Sequence, residues 1–168
     1  SYGQTTNGAH GTDSSFYRLS GIAADAKGNL FISDEYAHRV WKLDSTGTLT
    51  VYAGAGYPGY GGDKGLATLA ILNYPRDLAV DYSGNLLIVD SGNFRIRKVD
   101  ANGVISTLAG NGNAYFSGDN GLAINAAMAP LSVATTTSGL ILIADSFSRI
   151  RQVNTNRSEE RRVGKECR

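Results

Sequence analysis

Shifted by 56 positions, this chain lies on itself, and a period of that length restricts it to a fold built from equivalent modules. Ala23, Asp25, Gly28, Asn29, Leu30, Ile32 and Asp34 meet Ala79, Asp81, Gly84, Asn85, Leu86, Ile88 and Asp90. The register continues through Arg39/Arg95, Lys42/Lys98, Asp44/Asp100, Gly47/Gly103, Gly54/Gly110, Gly62/Gly118, Asp63/Asp119 and Ala67/Ala123. A third copy begins near Pro130, shifted by 55, with Gly139 and Asp145 on the positions of Gly84 and Asp90.

Inside each copy the apolar segments have strand length and are rich in β-branched residues. They are Gly21–Asp25, Asn29–Asp34, Arg39–Asp44 and Thr48–Ala53, then Asp77–Asp81, Asn85–Asp90, Arg95–Asp100 and Val104–Ala109. Leu86-Leu87-Ile88-Val89 is apolar on both faces, which predicts a strand covered by sheets on either side. Asp25–Gly28, Asp44–Gly47, Asp81–Gly84 and Asp100–Gly103 share the pattern Asp-x-x-Gly. The Asp accepts backbone hydrogen bonds two or more residues on, and the Gly takes the positive φ of a type I turn closed by a bulge. Four strands joined by such hairpins form one antiparallel blade, so the expected fold is all-β, a β-propeller fragment. The expected fragment holds two complete blades, about 20–53 and 76–109, and three strands of a third, about 131–156. Connectors 54–75 and 110–130 join them. In each, Asp63 or Asp119 is expected to cap a short helical turn before an Ala-rich stretch.

Asn85 to Val99 and Phe116 to Gly121 resemble NHL repeats, closest to the long-connector subclass of extracytoplasmic bacterial and teneurin-like proteins. The likeness runs from about Leu19 to Asn156. It implies a propeller, often six-bladed, that serves as a binding scaffold in an extracellular or periplasmic setting, with a protein or carbohydrate partner. The third copy departs from the pattern at Thr136, where Asp is lost, and is one residue shorter between Asp145 and Arg149. Six blades of this period need roughly 336 residues, so this chain holds a part of such a ring.

Residues 157–168 break with everything before them. Three of the four Glu, five of the 16 Lys and Arg and the single Cys stand there. The string resembles, codon for codon, the translation of a widely used sequencing adapter, and it is read as no part of the native chain. It also falls where the repeat predicts a turn glycine after Asn154-Thr155-Asn156. Without it the formal charge moves from +1 to −1 and no cysteine remains. A near-neutral chain lacks the basic footprint of a nucleic-acid partner, and no apolar run reaches the ~20 residues of a membrane helix.

Recurring charged residues are Asp34, Asp90 and Asp145, followed by Arg39, Arg95 and Arg149. Residues present in every copy serve the blade whatever the ligand, so each Asp is expected to cap its hairpin and pair with an Arg. Asp25, Asp81, Gly28, Gly84, Asp63 and Asp119 are structural repeat positions on the same argument. Calcium is not expected, because Lys64 interrupts the connector loop and no bidentate Glu follows. Zinc and general-base sites lack convergent ligands: His10 and His38 are the two histidines, and His38 is replaced by Phe94 and by Phe147 or Ser148. Glu35, the single Glu before residue 157, leaves no carboxylate pair for glycoside hydrolysis. Gly54-Ala55-Gly56 and Gly110-Asn111-Gly112 have no following helix to hold phosphate. No cofactor is expected. Among connector aromatics, Tyr60 and Phe116 match each other and are assigned to packing, whereas Tyr57 matches Asn113 and is the candidate partner contact. The leading reading is a non-enzymatic binding scaffold. The alternative is part of a propeller enzyme, a metal-dependent lyase or lactonase, with its site mainly in other blades.

Overall fold

The computed structural model describes residues 7–11, 15–154 and 159–163. The turn at Asn156 and Arg157 therefore lies outside the described residues. Strands β1 (Ala9–His10), β2 (Leu19–Ala24), β3 (Leu30–Asp34), β4 (Arg39–Leu43) and β5 (Thr48–Ala53) form the first antiparallel sheet, ordered β1-β5-β4-β3-β2. The second contains β6 (Pro75–Val80), β7 (Leu86–Asp90), β8 (Arg95–Val99) and β9 (Ile105–Ala109) in chain order. The third contains β10 (Pro130–Thr135), β11 (Leu140–Asp145), β12 (Arg149–Asn154) and β13 (Glu159–Val163).

These sheets are blades. Strands β2, β6 and β10 lie side by side, so the sheets stack through their first strands. The hairpins follow the Asp-x-x-Gly expectation: the N–H of Gly28, Gly47, Gly84 and Gly103 donates to the carbonyl of Asp25, Asp44, Asp81 and Asp100. All four glycines have positive φ. Asp25 Oδ1 accepts from the N–H groups of Lys27 and Asn29, both at 2.9 Å. Where the third blade lacks Asp, Thr136 Oγ1 accepts from Leu140 N at 3.1 Å and performs the same task with a hydroxyl.

Strand β7 is buried along its whole length. Leu86 and Ile88 join a core layer with Phe31, Val40, Leu72, Leu78 and Val99. Leu87 and Val89 join a second layer with Ile96, Met128, Val133, Ile141 and Val153. Period-2 geometry thus sends alternate side chains into two different inter-blade layers, and each fully buried one contributes roughly 1.5–3 kcal/mol. Close approach at the first inter-blade contact requires Gly21, where a Cβ would overlap the Arg76 carbonyl. Ser33 Oγ donates to that carbonyl at 2.5 Å. At the next contact Asp77 takes over, accepting from Ser132 Oγ and, at 2.9 Å, from Val133 N.

The first connector is stapled to the blade that follows it. Lys64 N donates to Ile105 O, Ile105 N to Gly65 O and Ala67 N to Gly103 O. Residues 7–11 reproduce this 56 positions earlier: Gly8 N donates to Leu49 O and Gly11 N to Gly47 O. That is why β1 pairs with β5, a strand the sequence reading did not expect. The expected helical turns are 3-10 turns at Ala67–Leu69 and Ala123–Asn125, but neither has a side-chain cap. Asp63 and Asp119 are engaged by buried arginines instead, which corrects the capping role.

The three repeat-derived strands of the third blade are present. A fourth, β13, is added by residues after the repeat ends, pairing from Ile150↔Val163 to Asn154↔Glu159. An open edge presents unpaired N–H and C=O groups that any extended segment satisfies, and backbone pairing is indifferent to side-chain identity.

Candidate binding cleft

The recurring carboxylates sit where β3, β7 and β11 end, and each holds the backbone entering the first strand of its blade. Asp34 accepts from Tyr17 N at 3.1 Å and Arg18 N at 2.9 Å. Asp90 accepts from Asn73 N at 2.7 Å, and Asp145 from Ala129 N at 3.4 Å. All three are buried.

The expected pairing with an arginine is met in the second and third blades, by an arginine of the same blade. Asp90 Oδ2 pairs with Arg97 Nη1 at 3.2 Å, and Asp145 Oδ2 with Arg151 Nη1 at 3.4 Å. Arg97 and Arg151 are buried and also reach the connector, at Asp63 (2.8 Å) and Asp119 (3.4 Å) respectively. Arg97 further donates to Gly61 O and Arg151 to Ser117 O. The recurring Arg95 and Arg149 lie over the connector rings: Arg95 is 3.9 Å from the Tyr60 centroid and Arg149 3.5 Å from that of Phe116. Arg95 also donates to Asn93 O and Asn111 O. Arg97 was overlooked because the first copy has Trp41 in its place, which hides the repeat. The signal was Arg-Ile-Arg at 95–97 and 149–151: in a strand, both arginines face the same side.

Burial raises the Asp90 carboxyl above the usual carboxylate range, against the hydrogen bonds of Asn93 and Asn73 and the Arg97 charge. Asp63, less buried, ends below it: desolvation pushes up, but Thr107, Arg97 and Tyr60 hold the anion. In Asp25, too, burial is outweighed by hydrogen bonds from Asn29 and Lys27.

With those charges accounted for, residues that break the repeat gather at one end of the sheets, between the first two blades. Arg18 matches Tyr74 and Ala129; Glu35 matches Ser91 and Ser146; Arg76 matches Ser20 and Leu131. Glu35 is buried between two half-exposed arginines, 3.3 Å from Arg18 Nε and 3.6 Å from Arg76 Nε. Arg18 Nη1 also donates to Tyr36 Oη at 2.8 Å. Tyr36 meets Tyr74 edge-on at 6.0 Å, and Tyr74 packs on His38 at 4.9 Å. His38 takes a left-handed φ of 54°, as do Phe94 (54°) and Ser148 (57°), which identifies Ser148 as the third-blade counterpart. Its Nδ1 accepts from Tyr74 N at 3.2 Å, so the proton of the neutral ring is on Nε2. Burial depresses the His38 pKa, opposed by nearby Asp34.

Glu35, Tyr36, Tyr74 and Arg76 border a cleft of about 470 Å³ that Gly92, Phe94, Pro130 and Leu131 also line. A second cavity of about 350 Å³ lies beside Asp34, Arg39 and Trp41, where the other blades place their buried arginine. Tyr57, the contact expected from sequence, is exposed on its connector and lines neither cavity. Among the described residues no three His, Cys, Asp or Glu side chains converge as metal ligands.

Stacked four-stranded antiparallel blades with repeat-built hairpins define the β-propeller class. The repeats themselves are NHL repeats. The NHL repeat model matches residues 16–43 and the teneurin NHL domain model residues 56–115. Teneurin-3 of Danio rerio is 40% identical over 96 residues, covering 49% of this chain and 4% of that protein. A Bacteroides thetaiotaomicron protein of unknown function superposes with a TM-score of 0.63 at 27% identity, covering 74% of this chain and 32% of that one. A streptogramin B lyase superposes with a TM-score of 0.60 at 17% identity, covering 88% and 41%. The last likeness carries architecture alone.

Proposed function

We propose that this chain is part of a non-catalytic recognition propeller, extracellular by analogy with teneurins, and that its ligand contacts the sheet ends around Glu35, Tyr36, Tyr74 and Arg76. One observation carries the reading: the charges repeated in each blade are spent on the blade, whereas the unrepeated Glu35, Tyr36 and Arg76 meet Tyr74 around a single cleft. Pockets of ~300–1,000 Å³ with aromatic walls and a few polar groups are typical of ligand sites. A partner protein or a carbohydrate fits this surface.

The test is capture by the chain on arrays of glycans and of extracellular protein domains, repeated with Tyr74→Ala and with Tyr57→Ala. Capture lost in Tyr74→Ala and kept in Tyr57→Ala supports the cleft. The reverse pattern returns the contact to the connector, and turnover of a captured ligand overturns the non-catalytic reading in favour of a propeller enzyme.

A further inference from the structure

We infer that the cleft takes an acidic saccharide, with a uronate carboxylate on Arg76; the inference rests on the cleft being the recognition surface. Glu35 lies between Arg18 and Arg76 and offsets one of their two charges. Arg18 is occupied by Glu35 and the Tyr36 hydroxyl. Arg76 approaches Glu35 through Nε at 3.6 Å, and no hydrogen bond engages its terminal nitrogens among the described residues. A guanidinium with free terminal nitrogens presents the fork that matches a carboxylate.

The body of the ligand follows from what the backbone withholds. An extended peptide is held mainly by main-chain hydrogen bonds. Here Pro75 and Pro130 start the strands at the cleft and carry no N–H. Gly92 N already donates to Asn73 O, Phe94 N to Ser91 O, Glu35 N to Arg18 O and Tyr74 N to His38. Ser91 Oγ caps the Tyr74 carbonyl at 2.6 Å. The side chains at the cleft supply tyrosine hydroxyls, exposed tyrosine rings and one guanidinium. That set suits a hydroxyl-rich ring bearing a carboxylate.

The test is calorimetric titration of the chain with a tetrasaccharide of alternating glucuronate and N-acetylglucosamine, its carboxyl-reduced counterpart and a glutamate-rich hexapeptide. The acidic sugar is expected to bind, at least tenfold tighter than the reduced sugar, and more weakly as salt rises. Arg76→Gln should lose about tenfold and Arg76→Lys less. The reduced sugar leaves the protein untouched, so that comparison stands even if Arg76→Gln folds poorly. Equal binding of the reduced sugar, tighter binding of the peptide, or no binding of the acidic sugar overturns the inference. If the arrays then show another ligand lost in Tyr74→Ala, the cleft remains the recognition surface. If the acidic sugar binds unaffected by Tyr74→Ala and Arg76→Gln, both readings fail.

Discussion

Arg97 is buried with Asp90 on one side and Asp63 on the other, and it also donates to a connector carbonyl. Removing one partner from such a group leaves an uncompensated buried charge, which costs about 3–5 kcal/mol. Arg97→Met should therefore destabilise the chain by that amount in urea unfolding. Arg95→Met removes a ring contact and two carbonyl bonds at a half-buried position, and about 1 kcal/mol is expected. Equal losses would mean that Arg95 shares the ion-pair role. His38 gives a pH signature. Its folded pKa is depressed by burial, so the unfolded chain binds the extra proton first. The stability contributed by neutral His38 is complete above its unfolded pKa of ~6.5 and is lost as pH falls through that value towards the folded pKa. Unfolding free energies at pH 7.5 and 5.5 should show the wild type losing more than His38→Phe, whose side chain the second blade already carries at Phe94. A steeper pH dependence in the variant would contradict this.

Among the elements, hairpins and strands were legible because each rests on local chemistry. Asp-x-x-Gly specifies the turn, and unbroken apolar runs such as Leu86–Val89 specify burial on two faces. Contacts between elements were less legible. Nothing near Asp63 says that it will reach Arg97, 34 positions away, rather than cap the turn beside it. The repeat could have exposed the pair, had Trp41 not interrupted it. Residues 7–11 were missed for a related reason: backbone bonds hold them to β5, and only their spacing repeats. Gly110 tests how tightly these elements are specified. It has φ +95°, and a Cβ there would overlap the Phe94 carbonyl. Gly84 has φ +79° with open space around it. Gly110→Ala should cost more than the roughly 1–2 kcal/mol of left-handed strain expected for Gly84→Ala. Thermal unfolding of the two variants decides it, and an equal shift would mean that the bulge relaxes freely.

Across the whole molecule, stability is a sum of blades and of the layers between them, so disturbance at one contact stays near it. The same modularity separates structure from recognition. What every blade needs is repeated, and what a ligand needs must break the repeat. The cleft residues were individually visible as unmatched positions: Glu35, Tyr36 and Arg76, like Arg18 that holds Glu35, have no like counterpart in either other copy. Their convergence was not visible, because it depends on the ends of β3 and β7 meeting the starts of β6 and β10 across blades. Tyr57 was singled out by the same logic applied to one connector, without that spatial information. Amide chemical-shift mapping of the isotopically labelled chain, titrated with the captured ligand, tests the division most directly. The cleft account predicts perturbations confined to residues 17–18, 35–38, 74–76, 91–94 and 129–131, with connector 54–73 silent. Perturbations centred on Tyr57, or spread evenly over the equivalent positions of all three blades, would contradict it.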